Sequence, residues 1–136
     1  MENNSVNVFI DADVFIGAFN KDDALHEKTT QLWQDLFRRR ARLFTSTLVL
    51  AEALTVLRYK AGKKESIKFG DTLLKKTKSL EIIYLNELLL NETYDLFSKI
   101  ETKDISFTDA LTITLGRKFN FEVASFDKKL KNQIKN

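Results

Sequence analysis

Val6-Asn7-Val8-Phe9-Ile10-Asp11-Ala12-Asp13 is the stretch that decides the fold. Residues 6–10 are apolar and β-branched apart from Asn7, which reads as a short strand covered on both faces. The run then breaks into acid at Asp11 and Asp13. A strand covered on both faces belongs to a sheet with helices above and below it.

The chain on either side of later apolar runs supplies those helices. From Asp22 the apolar spacing turns helical through Leu25, Leu32, Trp33, Leu36 and Phe37, with Asp22 or Asp23 placed to cap the start, and the helix closes on Arg38 to Arg40. Residues 42–45 form a second strand. Ser46 or Thr47 then caps a helix that is apolar nearly all round from Leu48 to Leu57, the pattern of a buried helix. Residues 64–78 suit a helix with Ile67, Leu73 and Leu74 on one side and lysines on the other. A third strand at 80–85 precedes a helix at 86–101 with Leu90, Tyr94, Phe97 and Ile100 in register. Ser106 opens a helix running to about Lys118, 121–126 is the fourth strand, and a short basic helix carrying Leu130 and Ile134 follows. Strands separated by helices need crossover connections. The expected architecture is therefore α/β, a single three-layer sandwich whose mostly parallel sheet has four to five strands, with ligands bound beyond their carboxyl ends.

Composition narrows the chemistry. With 136 residues, no Cys, no Pro, four Gly, 43% hydrophobic and 30% charged residues, the chain suits one domain over 1–136. The lack of Cys excludes disulfides, thiolate catalysis and Cys-based zinc sites, and one histidine, His26 in a polar helix start, cannot build a metal cluster. No P-loop or GxGxxG is present. MENNSVNV lacks a basic and an apolar leader region, and no segment approaches the roughly 18 apolar residues of a membrane span. A soluble cytoplasmic protein with no membrane partner is the expectation. The aromatic residues, mostly Phe at core-like spacing, look like packing.

Most of the 19 acids sit on exposed helix faces. Four do not. Asp11 ends the first strand, Glu52 lies within LVLAEALTVL, Asp109 lies in the first turn of the helix in SFTDALTITL, and Asp127 follows the last strand in FEVASFD. A carboxylate in apolar surroundings must be paired, hydrogen-bonded or bound to a cation. In a parallel sheet, strand ends and first helical turns share one edge, so these four converge, and a divalent cation would neutralise their repulsion. Oxygen donors without His or Cys suit Mg²⁺ or Mn²⁺. Each acid also has a plainer role open to it: a capping box from Ser106 to Asp109, an N-cap at Asp127, a turn at Asp11 and Asp13, a solvent-reaching Glu52. Setting those four aside leaves 15 acids against 22 Lys and Arg, so a net charge of only +3 conceals a cationic exterior. Runs at Arg38–Arg42, at Lys60, Lys63 and Lys64, and at Lys128, Lys129 and Lys131 suit a nucleic-acid backbone.

With FIDADVFI, STLVLAE, SFTDA and ASFD in this order, the chain resembles the PIN-domain nucleases, and most closely the VapC-type ribonuclease toxins of bacterial and archaeal toxin–antitoxin pairs. The likeness covers essentially the whole chain. It implies a metal-dependent endoribonuclease, an RNA substrate, an antitoxin partner and a homodimer. It assigns Asp11, Glu52, Asp109 and Asp127 to the family's acidic quartet, with Ser46 and Ser125 as hydroxyls supporting it. Asp13 departs from the pattern, since the family often has Asn there; a second-metal site and a solvent-facing position are both open to it. Two other enzyme or binding readings remain: a haloacid-dehalogenase-like phosphatase with Asp11 as nucleophile in a DxDx[TV] motif, and a non-catalytic RNA- or partner-binding PIN-like module. A signalling receiver domain is disfavoured because Asn86 stands where it needs a phospho-accepting Asp.

Overall fold

The computed structural model describes residues 6–135. The leader reading of MENNSVNV falls largely outside them. Four strands, β1 (Asn7–Ile10), β2 (Arg42–Ser46), β3 (Leu80–Ile83) and β4 (Glu122–Ala124), pair in the order β3-β2-β1-β4, every pair parallel. Among the described residues seven α-helices connect and flank them: α1 (Ala12–Phe19), α2 (His26–Arg38), α3 (Thr47–Ala61), α4 (Lys63–Asp71), α5 (Glu87–Lys99), α6 (Phe107–Phe119) and α7 (Lys128–Lys135). A π-helical turn, Thr72–Lys76, extends α4. This is the expected α/β architecture, with the strand number at the lower end of the expectation among the described residues.

Central position explains β1. Val8, Phe9 and Ile10 are fully buried, because β2 and β4 cover both edges and helices both faces. One helix group runs α2–α1–α3–α4 by contact, another α5–α6–α7, and α3 also touches α6. Gly62, at φ +96°, makes the reversal between α3 and α4 in a region that L side chains avoid.

Four expectations are corrected. α1 was not foreseen, since Ala12–Phe19 has only Asp13 as a polar residue and shows no amphipathic stripe. The helix expected from Asp22 begins at His26. Asp23 Oδ1 instead accepts from Leu25 N (2.8 Å) in a turn before it, and Phe37, assigned to the buried stripe, is 87% exposed. On α4 the buried residues are Ser66 and Phe69 while Ile67 is exposed, and on the π-helical turn after it Leu73 is buried as expected but Leu74 is exposed. On α5 they are Leu89 and Thr93, while Leu90 and Tyr94 face outward. The aromatic residues are correspondingly split: Phe9, Phe15 and Phe69 are core, but Tyr59, Tyr84 and Phe119 are exposed.

Candidate active site

The strand order creates one crevice. The chain leaves β1 for β2 and β3, then returns to β4 on the other side of β1, so the carboxyl ends of β1 and β4 border a topological switch point. Asp11 ends β1 and caps α1, and Asp13 sits in the first turn of that helix. Ser125 and Asp127 follow β4, Asp109 is in the first turn of α6, and Glu52 lies in the second turn of α3.

Ser125 is the hub. Its hydroxyl donates to Asp11 Oδ2 (2.7 Å), lies 3.4 Å from Asp13 Oδ2, and accepts from Asp127 N (3.0 Å). Asp11 is further tied by its N–H to Ala124 O (3.0 Å) and by Oδ1, which accepts from Ala12 N (2.8 Å). Asp13 turns inward rather than to solvent. Its Oδ2 accepts from Phe126 N (2.8 Å), whereas Oδ1 is buried with no partner among the described residues. The plainer roles are realised as well: Ser106 and Asp109 form a capping box (3.0 and 3.1 Å), and Asp127 Oδ1 accepts from Leu130 N (3.1 Å) as the cap of α7. Capping accounts for one oxygen of each of those two acids and leaves the other free of a hydrogen bond among the described residues.

Charge couples all five acids. Burial pushes the Asp11 carboxyl up to about 7, helped by the neighbouring Asp13 and Asp109 charges and opposed by the Ser125 and Ala12 hydrogen bonds. Burial also raises Asp13, with Asp127 adding to it, and raises Glu52, with Asp109 and Asp13 adding to it. No Lys or Arg is among these influences, so the acids compensate one another poorly.

Ser46 is buried and caps α3 through Val49 N (3.2 Å), so its help to the cluster is to fix the helix that carries Glu52. Thr45, which the sequence did not single out, bonds Ile10 O with its hydroxyl (2.9 Å) and holds β2 to the end of β1 just before Asp11. His26 takes no part; Nδ1 bonds Gly17 O (2.7 Å) and ties α2 to α1.

The donor set suits a hard divalent cation. It consists of carboxylate and hydroxyl oxygens, and the buried, unpartnered Oδ1 of Asp13 is an acceptor a cation would satisfy. Among the described residues no three acidic or imidazole side chains are drawn close enough to ligate one ion as they stand. Unneutralised carboxylates repel, and Asp109 and Asp127 are turned toward their capping partners, so ligation by all of them requires side-chain rotation.

A family model for the PIN domain matches residues 8–135. The chain belongs to the PIN domain family. That membership displaces the phosphatase and receiver readings. Among relatives of this PIN domain, the VapC ribonuclease of Archaeoglobus fulgidus is 26% identical over 120 residues, covering 87% of this chain and 75% of its own. The fold is similar to that of VapC20 of Mycobacterium tuberculosis, a sarcin–ricin loop cleaving toxin, with a TM-score of 0.81 at 19% identity over 92% of this chain and 93% of that one. It is also similar to that of VapBC2 of Rickettsia felis, bound to a DNA fragment from its promoter, with a TM-score of 0.65 at 19% identity over 93% and 92% of the two chains.

Proposed function

We propose that this PIN domain is a metal-dependent endoribonuclease acting as the toxin of a toxin–antitoxin pair. What supports the reading is that Asp11, Asp13, Glu52, Asp109 and Asp127 bear on one another's charge around the switch point, three of them with raised proton affinity and no basic residue among the described ones contributing. A site that leaves carboxylates this poorly compensated is suited to bind cations. The ribonuclease named among the relatives supplies the substrate class.

Asp11, Glu52, Asp109 and Asp127 would hold Mg²⁺ or Mn²⁺, with Asp13 adding a fifth carboxylate beside them. Such an ion supplies Lewis acidity and lowers the pKa of a bound water. The chain's own part is geometric. Ser125 keeps Asp11 and the Asp127 backbone in place, and Thr45 fixes the end of β1. Arg40 and Arg42, which form no ion pair among the described residues, and the lysines of α7 give the exterior a positive surface for the RNA backbone. Arg39 is less available, being shared between Asp35 (3.2 Å) and Glu122 (2.7 Å).

The partners are RNA, an antitoxin that sets a basic side chain among the acids, and a second copy of the chain. Tyr84, Leu88 and Tyr94, between 62% and 68% exposed, offer apolar surface for protein partners. The location is cytoplasmic; no helix among the described residues is long and apolar enough to cross a membrane. The test is cleavage of several RNAs with Mg²⁺, Mn²⁺ or EDTA, comparing wild type with Asp11→Asn and Asp109→Asn. Loss of cleavage in EDTA and in both variants is expected, and equal cleavage by all three proteins sinks the assignment.

A further inference from the structure

A second concavity adjoins the acids. Asp109 and Asp127 form one wall of a cavity of about 400 Å³ that continues away from the crevice between the loop before α6 and the face of α7. Its inner surface is apolar, made by Ile105, the fully buried Ile113, and Leu130. Its rim carries Asp104, Lys129 and Asn132. Small-molecule pockets run from about 300 to 1,000 Å³, so this one suits a single nucleoside and is too small for a duplex.

We propose that this cavity is a subsite for one unpaired guanine base flanking the phosphodiester that is cut. The inference rests on the nuclease reading for its position and on the rim chemistry for its ligand. Because Asp109 and Asp127 line this cavity, an RNA strand whose phosphate lies at the acids can seat a neighbouring nucleoside in it. Single-stranded RNA is read by splaying a base into such a pocket, against apolar walls and with hydrogen bonds to its edge.

Asp104 selects the base. Its side chain makes no hydrogen bond or ion pair among the described residues, while its backbone N–H is held by Thr102 Oγ1 (3.2 Å), so the loop presents a free carboxylate. A carboxylate accepts two parallel hydrogen bonds best from adjacent donors. Guanine offers N1–H and N2–H together, whereas adenine and cytosine each set a ring acceptor beside their single amino group and uracil flanks N3–H with carbonyls. The Asn132 amide has a donor to give to guanine O6, and Lys129 carries the charge for the adjoining phosphate. A site with three acids on its walls would repel a phosphate as its main ligand, which favours the base as the group that enters.

The experiment is methyl NMR on the full chain with labelled Ile and Leu, in metal-free buffer, titrating guanosine, adenosine, cytidine and uridine separately. Guanosine is expected to shift Ile105, Ile113 and Leu130, the other nucleosides to bind roughly tenfold more weakly or worse, and Asp104→Asn and Asn132→Ala to lose that preference. Asp104 is exposed in a loop, so its isosteric variant should keep the wild-type spectrum elsewhere. No shift, equal shifts for all four nucleosides, or an unchanged preference in both variants overturns the proposal whether or not RNA is cut. Selective guanosine binding by a protein that cuts no RNA leaves the base site standing and removes the nuclease reading.

Discussion

Replacing Asp11 with Asn should stabilise the metal-free protein at alkaline pH. The Asp11 carboxyl sits near 7 in the fold against an ordinary 3.8, and it is only 7% exposed. The folded state therefore binds this proton more tightly than the unfolded state does. The stability contributed by this one carboxyl is full below pH 4, falls as pH rises through the window from about 4 to about 7, and levels off above it. At about 1.4 kcal/mol per pKa unit, a shift of roughly three units costs the ionised fold on the order of 4 kcal/mol. Asn removes that cost and keeps both contacts, its Oδ1 accepting from Ala12 N and its Nδ2 donating to Ser125 Oγ. At roughly 4 °C per kcal/mol for a chain this size, Asp11→Asn should melt about 16 °C above wild type at pH 8 without metal, and within a few degrees of it at pH 4. Added Mn²⁺ should raise the wild-type Tm and leave the variant nearly unmoved, since a ligand stabilises only the state that binds it. Melting curves from pH 4 to 8, with EDTA or Mn²⁺, read both effects. A variant no more stable than wild type at pH 8 in EDTA refutes the account of Asp11, and equal Mn²⁺ stabilisation of both proteins refutes its role as a ligand.

Ser125→Ala should lower RNA cleavage by about 10- to 100-fold, as loss of a ligand-orienting hydroxyl does, while the far-ultraviolet spectrum stays that of wild type; unchanged kcat/KM would show that Asp11 is oriented without it. Thr45→Val strands the Ile10 carbonyl in a fully buried position and should cost about 1–3 kcal/mol in urea denaturation; no loss would mean that this bond does not hold β1 to β2. Gly17→Ala brings a methyl within 2.5 Å of Thr29 Cγ2 on the facing helix, so it should cost about 1–3 kcal/mol by the same measurement, and a neutral result would show that α1 and α2 can move apart freely.

The strands and acids were legible because their sequence signals are local. A continuous apolar run ending in Asp reads the same whatever surrounds it, and a parallel sheet, once expected, sends the four candidate acids toward one edge. What was not legible depended on packing. The run Leu88-Leu89-Leu90 leaves the face of α5 undetermined, and Thr93 occupies the buried position because its hydroxyl bonds Leu89 O (2.7 Å) and so needs no other partner. Ser66 does the same toward Lys63 O (3.1 Å) on α4. Both residues look polar in sequence and behave as core. Asp13 was ambiguous for a related reason: its inward direction follows from a helix that begins at Ala12, and that helix, apolar on every side, carries no period to announce itself. The guanine-sized cavity had no sequence signal at all, since Asp104 and Asn132 lie in unremarkable polar stretches brought together only by the docking of α7.

The hydrogen bond from Ser125 to Asp11 joins residues 114 positions apart. Contacts of such long separation form late, after the loop between them has closed. During synthesis β1 emerges early, but the edge that β4 pairs with stays open and Asp11 lacks its Ser125 partner until β4 has left the ribosome. On the nuclease reading proposed above, no cleavage can precede the arrival of β4, so a restraining partner would meet the activity only once the sheet is complete.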